Sequence, residues 1–188
     1  MKDLSIYFKP FKNTEPRLDE TVGSLLIDIE QAGSNTIAVL SVPEFRNSGR
    51  NSSQSNQEVI NSLLSLYKGD WDVSLVTLGE ILPGQNIEDT YLAVQEVVTE
   101  LVKNDIIPFV IGGSQDLTYA IYKAYEFLEQ TVNVVDFNPK SDLGDPDGEM
   151  NSQGWLSTII MHKPSFLFNY SLIGYQNYLA NPNEIHLL

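Results

Sequence analysis

The chain has 188 residues, with 11 lysines and arginines against 25 aspartates and glutamates, which gives a formal charge of −14. Such acidity argues against nucleic acid or an anionic membrane surface as a partner, because phosphate binding needs clustered cationic side chains. There is no cysteine, so disulfides, thiolate metal sites and cysteine nucleophiles are excluded. The length predicts a single domain over residues 1–188 with a sizeable core.

Residues 1–35 are predicted to be a mixed lead-in segment. Pro10 and Pro16 interrupt regular structure early, and residues 18–31 are predicted to form a helix that ends at the Ala-Gly-Ser-Asn sequence following it. The N-terminus lacks the apolar region of a secretory signal, and no apolar run is long enough to span a bilayer. We therefore expect a cytoplasmic protein.

From residue 36 to about 180, strand and helix patterns alternate. Apolar, β-rich stretches predict strands at 36–42, 73–78, 106–111, 133–136 and 166–174. Helical apolar spacing predicts helices at 58–67, from a cap at Asn86 to about Lys103, and through residues 117–128. Pro108 indicates an edge position or a bulge for its strand. Continuous apolar strands separated by helices predict a three-layer α/β/α fold with a mainly parallel sheet.

In an open parallel sheet, ligands bind beyond the carboxyl ends of the strands. Segments 41–49, 112–116 and 136–147 lie there. In the second, Gly112 and Gly113 allow a sharp turn and a close approach to a ligand, while Ser114 is expected to cap the next helix and Asp116 to suit its positive end. An ordinary strand-to-helix turn explains the same pattern. No dinucleotide fingerprint or P-loop is present.

The third segment places Asp136 at the end of a strand and further aspartates, including Asp142, soon after it. Carboxylate oxygens at this place could form a site for a hard cation. The alternative is a solvated acidic turn, because Asp, Asn, Pro and Gly are common turn residues.

Together the two segments resemble the ureohydrolase family, which includes arginase, agmatinase and formimidoylglutamase. The shared order is strand, Gly-Gly-Ser-x, helix, strand, Asp-x-x. The resemblance covers about residues 36–180. It includes 165–178, similar to formimidoylglutamase-like members, and 43–51, which would match the mouth of the site. It implies an arginase-like fold and a manganese pair that activates a hydroxide for attack on a guanidinium or formimino carbon.

The sequence departs from this family at the positions of the metal ligands. Gln115 and Asn138 stand where the family has histidines. Asp136 matches the first aspartate of the second motif, and the next aspartate position is Lys140 without a gap or Asp142 with two extra residues. Amide oxygens are poor substitutes for imidazole on a transition metal. We therefore expect only weak metal binding by Asp136 and Asp142, with no manganese pair and no other cofactor in this chain.

The remaining candidate groups do not complete the ligand set. His162 lies in an apolar stretch typical of a helix end, and His186 is near the terminus. The sequence stops before a final Asp-x-Asp of the family. The ammonium of Lys140 could occupy the vacated metal volume and neutralise Asp136, although a surface lysine is the plainer interpretation.

Three functions follow from these observations. The first is a ureohydrolase-family protein with a degenerate metal site, inactive or incomplete because the family's C-terminal part is missing. The second is an active manganese-dependent hydrolase of a linear amidine or guanidine C–N bond in a full-length chain. The third is an unrelated α/β domain that binds a small molecule through Gly112–Asp116. The candidate ligand-binding residues are Gly112, Gly113, Ser114 and Lys140. A truncated sheet would expose an edge strand and apolar surface, so we also expect self-association.

Overall fold

The computed structural model describes residues 2–12, 18–50, 54–145 and 147–179. The chain divides into two compact units. Unit 1 comprises residues 1–45 and 51–113, and unit 2 comprises residues 46–50 and 114–188. The single domain expected over 1–188 stays a prediction.

Unit 1 contains a four-stranded sheet. The strand order is β1 (Phe8–Lys9), β3 (Ser74–Ile81), β2 (Thr36–Ser41) and β4 (Ile107–Ile111). β2 pairs in parallel with β3 and β4, whereas β1 is antiparallel to β3. Pro108 lies in β4, at the end of this strand order, where a missing N–H is tolerated.

Two predicted helices of unit 1 are confirmed, α1 (Gln57–Ser65) and α2 (Ile87–Lys103). α1 places Ile60 and Leu64, both fully buried, in one core cluster with Val39 of β2. α2 begins after Asn86, whose backbone N–H donates to the Asp89 carboxylate at 3.0 Å. The backbone N–H of Asn86 has no carbonyl partner within α2, so this bond satisfies a donor at the start of the helix.

Unit 2 contains the parallel pair β5 (Val132–Phe137) and β6 (Leu167–Ile173), with helices α3 (Leu117–Phe127) and α4 (Trp155–Met161). Its core consists of buried side chains from α3, α4 and the segment before α4: Tyr122, Leu143, Trp155, Leu156 and Ile159. Val134 and Tyr170 pack against this cluster from β5 and β6. The predicted α/β fold with mainly parallel strands is confirmed.

The helix predicted over residues 18–31 is wrong. The segment holds two short 3-10 helices, Val22–Leu25 and Ile29–Gln31. Between them the backbone is extended: Leu26 forms a parallel bridge with Leu75, and the Ile27 N–H donates to the Leu75 carbonyl at 2.9 Å. The apolar spacing therefore reflects packing of an irregular segment beside β3 rather than a helical face.

A charged cluster joins the ends of α3 and α4. His162 is the C-cap residue of α4, as expected for a helix-end residue, and its Nε2 lies 2.8 Å from Oε2 of Glu126 in α3. Lys123 Nζ lies 2.7 Å from the same oxygen. The rings of Tyr119 and Tyr122 meet the His162 ring edge-on, at centroid distances of 6.2 and 6.1 Å. These contacts fix the end of α4 against α3.

We expect the Glu126 carboxylate to make unit 2 sensitive to acid. Burial acts to raise the pKa of Glu126, but hydrogen bonds and charge from Lys123 and His162 outweigh it, so the pKa is lowered. A carboxylate with a lowered folded pKa stabilises the fold above its unfolded pKa, and this contribution disappears as the pH falls through the folded value. Glu126→Gln should therefore lower the free energy of unfolding by about 1–2 kcal/mol near pH ~7, measured by urea unfolding.

The difference between Glu126→Gln and the natural chain should shrink as the pH falls below about 4. Glu129→Gln is the matched control, because Glu129 is exposed and lies just beyond the same helix. A pH-independent loss in Glu126→Gln, or an equal loss in the control, would contradict this account.

Candidate functional site

The glycine turn after β4 is shaped by a neighbouring backbone segment of unit 1. A Cβ atom at Gly113 would lie 1.9 Å from the carbonyl oxygen of Glu44, in the loop after β2. The Glu44 side chain is buried, and the Thr90 hydroxyl donates to its carboxylate at 3.2 Å. Close backbone packing therefore accounts for Gly113. A ligand-binding role for Gly112 and Gly113 stays a prediction.

The first residues of unit 2 after this turn lead into α3. Ser114, expected as the cap, is not the N-cap residue. α3 begins at Leu117 with Asp116 as its N-cap, and the Ser114 carbonyl accepts from the Leu117 N–H at 3.2 Å in the preceding turn. That expectation is wrong because residues 114–116 form a turn that precedes the helix, so the cap position falls two residues later than expected. Asp116 is fully buried, and its Oδ2 accepts from Asn47 Nδ2 at 3.4 Å. Gln115 is exposed.

Asp136 lies near the carboxyl end of β5 and is paired with a tyrosine of β6. The Tyr170 hydroxyl donates to Asp136 Oδ2 at 2.8 Å. Tyr170 is in register with Val134, two residues before Asp136, so both side chains lie on one face of the strand pair. Burial, followed by the hydrogen bond to Asp136, raises the pKa of Tyr170 well above its usual value. The phenol therefore stays protonated and acts as a donor.

Asp142 is the most enclosed carboxylate of this group. It is fully buried, and its Oδ2 accepts from Asn138 Nδ2 at 2.8 Å and from Trp155 Nε1 at 3.3 Å. Within the described residues its Oδ1 has no hydrogen-bond partner, although Lys140 Nζ lies 3.8 Å away. Burial raises the pKa of Asp142, with Trp155 and Lys140 acting in the opposite direction.

Unit 2 thus brings four of the predicted site residues into one neighbourhood: Asp136, Asn138, Lys140 and Asp142. Asp142 lies beside Asn138 in space. Its assignment to the second aspartate position of the family stays a prediction. The Lys140 side chain is about one-third exposed, at 35%, and its ion pair is with Asp142. Across the described part of the chain no ion pair joins Lys140 to Asp136, so the sequence hypothesis named the wrong carboxylate for this lysine.

Sequence reasoning did not single out two aromatic residues of this neighbourhood, Tyr170 and Trp155. Each donates a hydrogen bond to one of the two aspartates. Tyr170 reaches Asp136 because β5 and β6 pair in parallel. Trp155 reaches Asp142 because α4 packs in one core cluster with Leu143, the residue after Asp142. No local sequence signal reports either contact.

The described residues contain no preformed metal cluster. Over residues 2–12, 18–50, 54–145 and 147–179, no three side chains among His, Asp and Glu are grouped so that they could hold a metal ion. The same part of the chain has no helix with the length and apolar character needed to cross a bilayer. The cytoplasmic location stays a prediction.

Comparisons with known proteins identify the class of protein. A model of the arginase family matches residues 37–187. The structure is similar to formimidoylglutamase from Bacillus subtilis, with 16% identity and a TM-score of 0.73 over 91% of this chain and 57% of that one. It is also similar to Trypanosoma cruzi formiminoglutamase with two Mn²⁺, with 15% identity and a TM-score of 0.76 over 90% of this chain and 62% of that one.

A curated but uncharacterized 32.2 kDa protein from Methanothermus fervidus is 31% identical over 68 residues, which are 35% of this chain and 24% of that protein. The chain spans less than two thirds of the length of each of these relatives. It belongs to the arginase family, and its fold is arginase-like. The alternative of an unrelated α/β domain is therefore wrong.

Proposed function

We propose that this arginase-family chain has a degenerate metal site and is catalytically inactive. The observation that carries the proposal is the hydrogen bond from Asn138, at a histidine position of the family, to the buried Asp142. A metal ligand must direct a lone pair at the ion. Asn138 directs its N–H group at a carboxylate oxygen that the indole N–H of Trp155 shares, and its own Oδ1 accepts from the Lys140 backbone N–H at 3.4 Å.

The other groups around the two aspartates are also donors or cations. Tyr170 directs its hydroxyl at Asp136, and the ammonium of Lys140 lies beside Asp142. Hydrogen-bond donors and a positive charge around a carboxylate compete with a divalent cation for the same oxygens. Two such carboxylates, with Gln115 exposed and no histidine of the described residues grouped with them, favour weak binding of one ion at most.

One similar structure carries engineered changes to aspartate and histidine, the two residue types that the family has at its metal-ligand positions. A matched structure is that of a Trypanosoma brucei arginase-like protein in which three serines were changed to aspartate and one arginine to histidine. It is 13% identical to this chain, with a TM-score of 0.60. Aspartate and histidine are also the types that Gln115, Asn138 and Lys140 replace here, according to the family pattern.

The alternative is an active manganese-dependent hydrolase of a linear amidine or guanidine C–N bond in a full-length chain. Trypanosoma cruzi formiminoglutamase favours it, because its structures hold two Mn²⁺ both with and without a replacement of one asparagine by histidine. One asparagine is thus compatible with a manganese pair in that protein. This chain lacks both histidines, and its Asn138 is already engaged by Asp142.

Titration with Mn²⁺, followed by calorimetry and electron paramagnetic resonance, tests the metal site. We expect no tight equivalent in the natural chain. The variant Gln115→His/Asn138→His should bind Mn²⁺ more tightly, by about tenfold or more, or ~1.4 kcal/mol, because each imidazole adds a ligand lone pair. Two tight equivalents per natural chain would refute the proposal.

Activity is tested in the same samples by ammonia and urea release from arginine, agmatine and formimidoylglutamate with Mn²⁺ present. We expect the natural chain to release ammonia and urea no faster than the Asp136→Asn variant, which serves as the background. Turnover that Asp136→Asn abolishes would instead support the active hydrolase.

A further inference from the structure

The turn that follows β5 is held in place by the end of β6 and the segment after it. The backbone N–H of Asn138 donates to the Ile173 carbonyl at 3.1 Å, and the Pro139 carbonyl accepts from the Gln176 N–H at 2.7 Å. The proline ring also fixes its own φ. The backbone that leads into Lys140 is therefore held at defined points.

The side-chain amide of Asn138 closes this turn. Its Oδ1 accepts from the Lys140 backbone N–H at 3.4 Å, and its Nδ2 donates to Asp142 Oδ2 at 2.8 Å. One side chain thus bonds to both residues and holds Lys140 close to the Asp142 carboxylate.

The second carboxylate oxygen of Asp142 is enclosed in unit 2. Asp142 is fully buried, and within the described residues its Oδ1 has no hydrogen-bond partner. A buried acceptor without a partner is costly, and more so when it carries charge. Since neither solvent nor a partner chain reaches a fully buried atom, its charge has to be compensated from within unit 2. The structure places the Lys140 ammonium there, with Nζ 3.8 Å from Oδ1.

We propose that the Lys140 ammonium is the resident cation of this site, with the role at Asp142 Oδ1 that a bound ion would otherwise have. The separation of 3.8 Å exceeds a charge-assisted hydrogen bond by about 1 Å, a gap that rotation of the flexible lysine side chain closes. This inference rests on the proposed function and deepens it. It makes Lys140 the residue that determines which cation the site accepts, beyond the loss of the two imidazoles.

A double-mutant cycle on Lys140 and Asp142 tests the pairing. Lys140→Met removes the charge and keeps most of the side-chain volume, so we expect a lower urea midpoint than in the natural chain. In an Asp142→Asn background the same substitution should have little effect, because no buried charge is left to compensate. Lys163→Met is the matched control, since Lys163 is an exposed lysine of unit 2, and it should leave the midpoint unchanged in both backgrounds.

Titration with Mn²⁺, followed by electron paramagnetic resonance, tests the choice of cation without the Asp142 substitution. Lys140→Ala removes the ammonium and opens room beside the carboxylate. We expect it to bind one Mn²⁺ about tenfold more tightly than the natural chain does, because a positive charge close to the ligand oxygen is gone. Lys163→Ala removes the same charge elsewhere in unit 2 and should bind Mn²⁺ as the natural chain does.

Two results would overturn the proposal. One is a midpoint that Lys140→Met leaves unchanged, or lowers equally with and without the Asp142 carboxylate. The other is a Lys140→Ala variant that binds Mn²⁺ no more tightly than Lys163→Ala. If the natural chain still lacks tight Mn²⁺ binding in these experiments, the proposed function stands and only the role of Lys140 is refuted. Two tight equivalents in the natural chain would refute both.

Discussion

Trp155→Ala is expected to lower the free energy of unfolding by about 3–5 kcal/mol, the range for deletion of a large core side chain. Trp155 is 3% exposed and packs with Leu156 and Ile159 in the core of unit 2. The truncation leaves a cavity and also removes the indole donor from the buried Asp142. Urea unfolding followed by circular dichroism gives the difference.

The second tryptophan of the chain provides the control for this experiment. Trp71 is 66% exposed, so Trp71→Ala should change stability by no more than about 0.5 kcal/mol. Trp155→Phe keeps most of the aromatic packing but removes the N–H, and we expect it to cost about 1–2 kcal/mol. Equal effects of the two alanine substitutions would contradict the buried placement of Trp155. A neutral Trp155→Phe would mean that the bond to Asp142 contributes no stability.

Gly113→Ala should cost at least about 2–3 kcal/mol, as expected for overpacking against groups that cannot move aside. The new Cβ would lie 1.9 Å from the carbonyl oxygen, 2.6 Å from the carbonyl carbon and 2.7 Å from the nitrogen of Glu44. All three are backbone atoms, so the loop after β2 must shift, and the buried Glu44 carboxylate shifts with it. Thermal unfolding measures the loss.

Gly33→Ala is the matched control, because a Cβ there meets no atom within 4 Å. It should be neutral, or stabilising by about 0.4–1 kcal/mol through a less flexible unfolded chain. A Gly113→Ala variant as stable as the natural chain would show that the Glu44 loop does not pass against this glycine.

The regular elements could be predicted because their signals are local. The apolar run that predicted a strand at 36–42 gives Thr36–Ser41, and the helix expected from Asn86 to Lys103 is found as Ile87–Lys103. The helix predicted over residues 18–31 is wrong because the apolar residues follow a helical spacing while the backbone pairs with Leu75. A long-range contact of this kind leaves no trace in the spacing of neighbouring residues.

The candidate site was predictable only in part, for the same reason. Asp136, Asn138 and Asp142 are close in sequence, so the segment that contains them could be singled out at once. Their hydrogen-bond donors Tyr170 and Trp155 come from β6 and α4, and their approach depends on strand pairing and helix packing. The sequence therefore indicated which carboxylates to consider as candidates, but not which groups donate hydrogen bonds to them.

Asp142 accepts two hydrogen bonds inside the protein, so its conservation would be expected even if it bound no metal ion. An apolar residue in its place would leave the side-chain N–H groups of Asn138 and Trp155 without this acceptor. Each lost hydrogen bond would lower the free energy of unfolding by about 1–3 kcal/mol. Pressure for a stable fold alone would thus preserve an acidic side chain at this position, which the sequence resemblance proposes as a family ligand position. The presence of Asp142 is accordingly no evidence that the chain uses a metal.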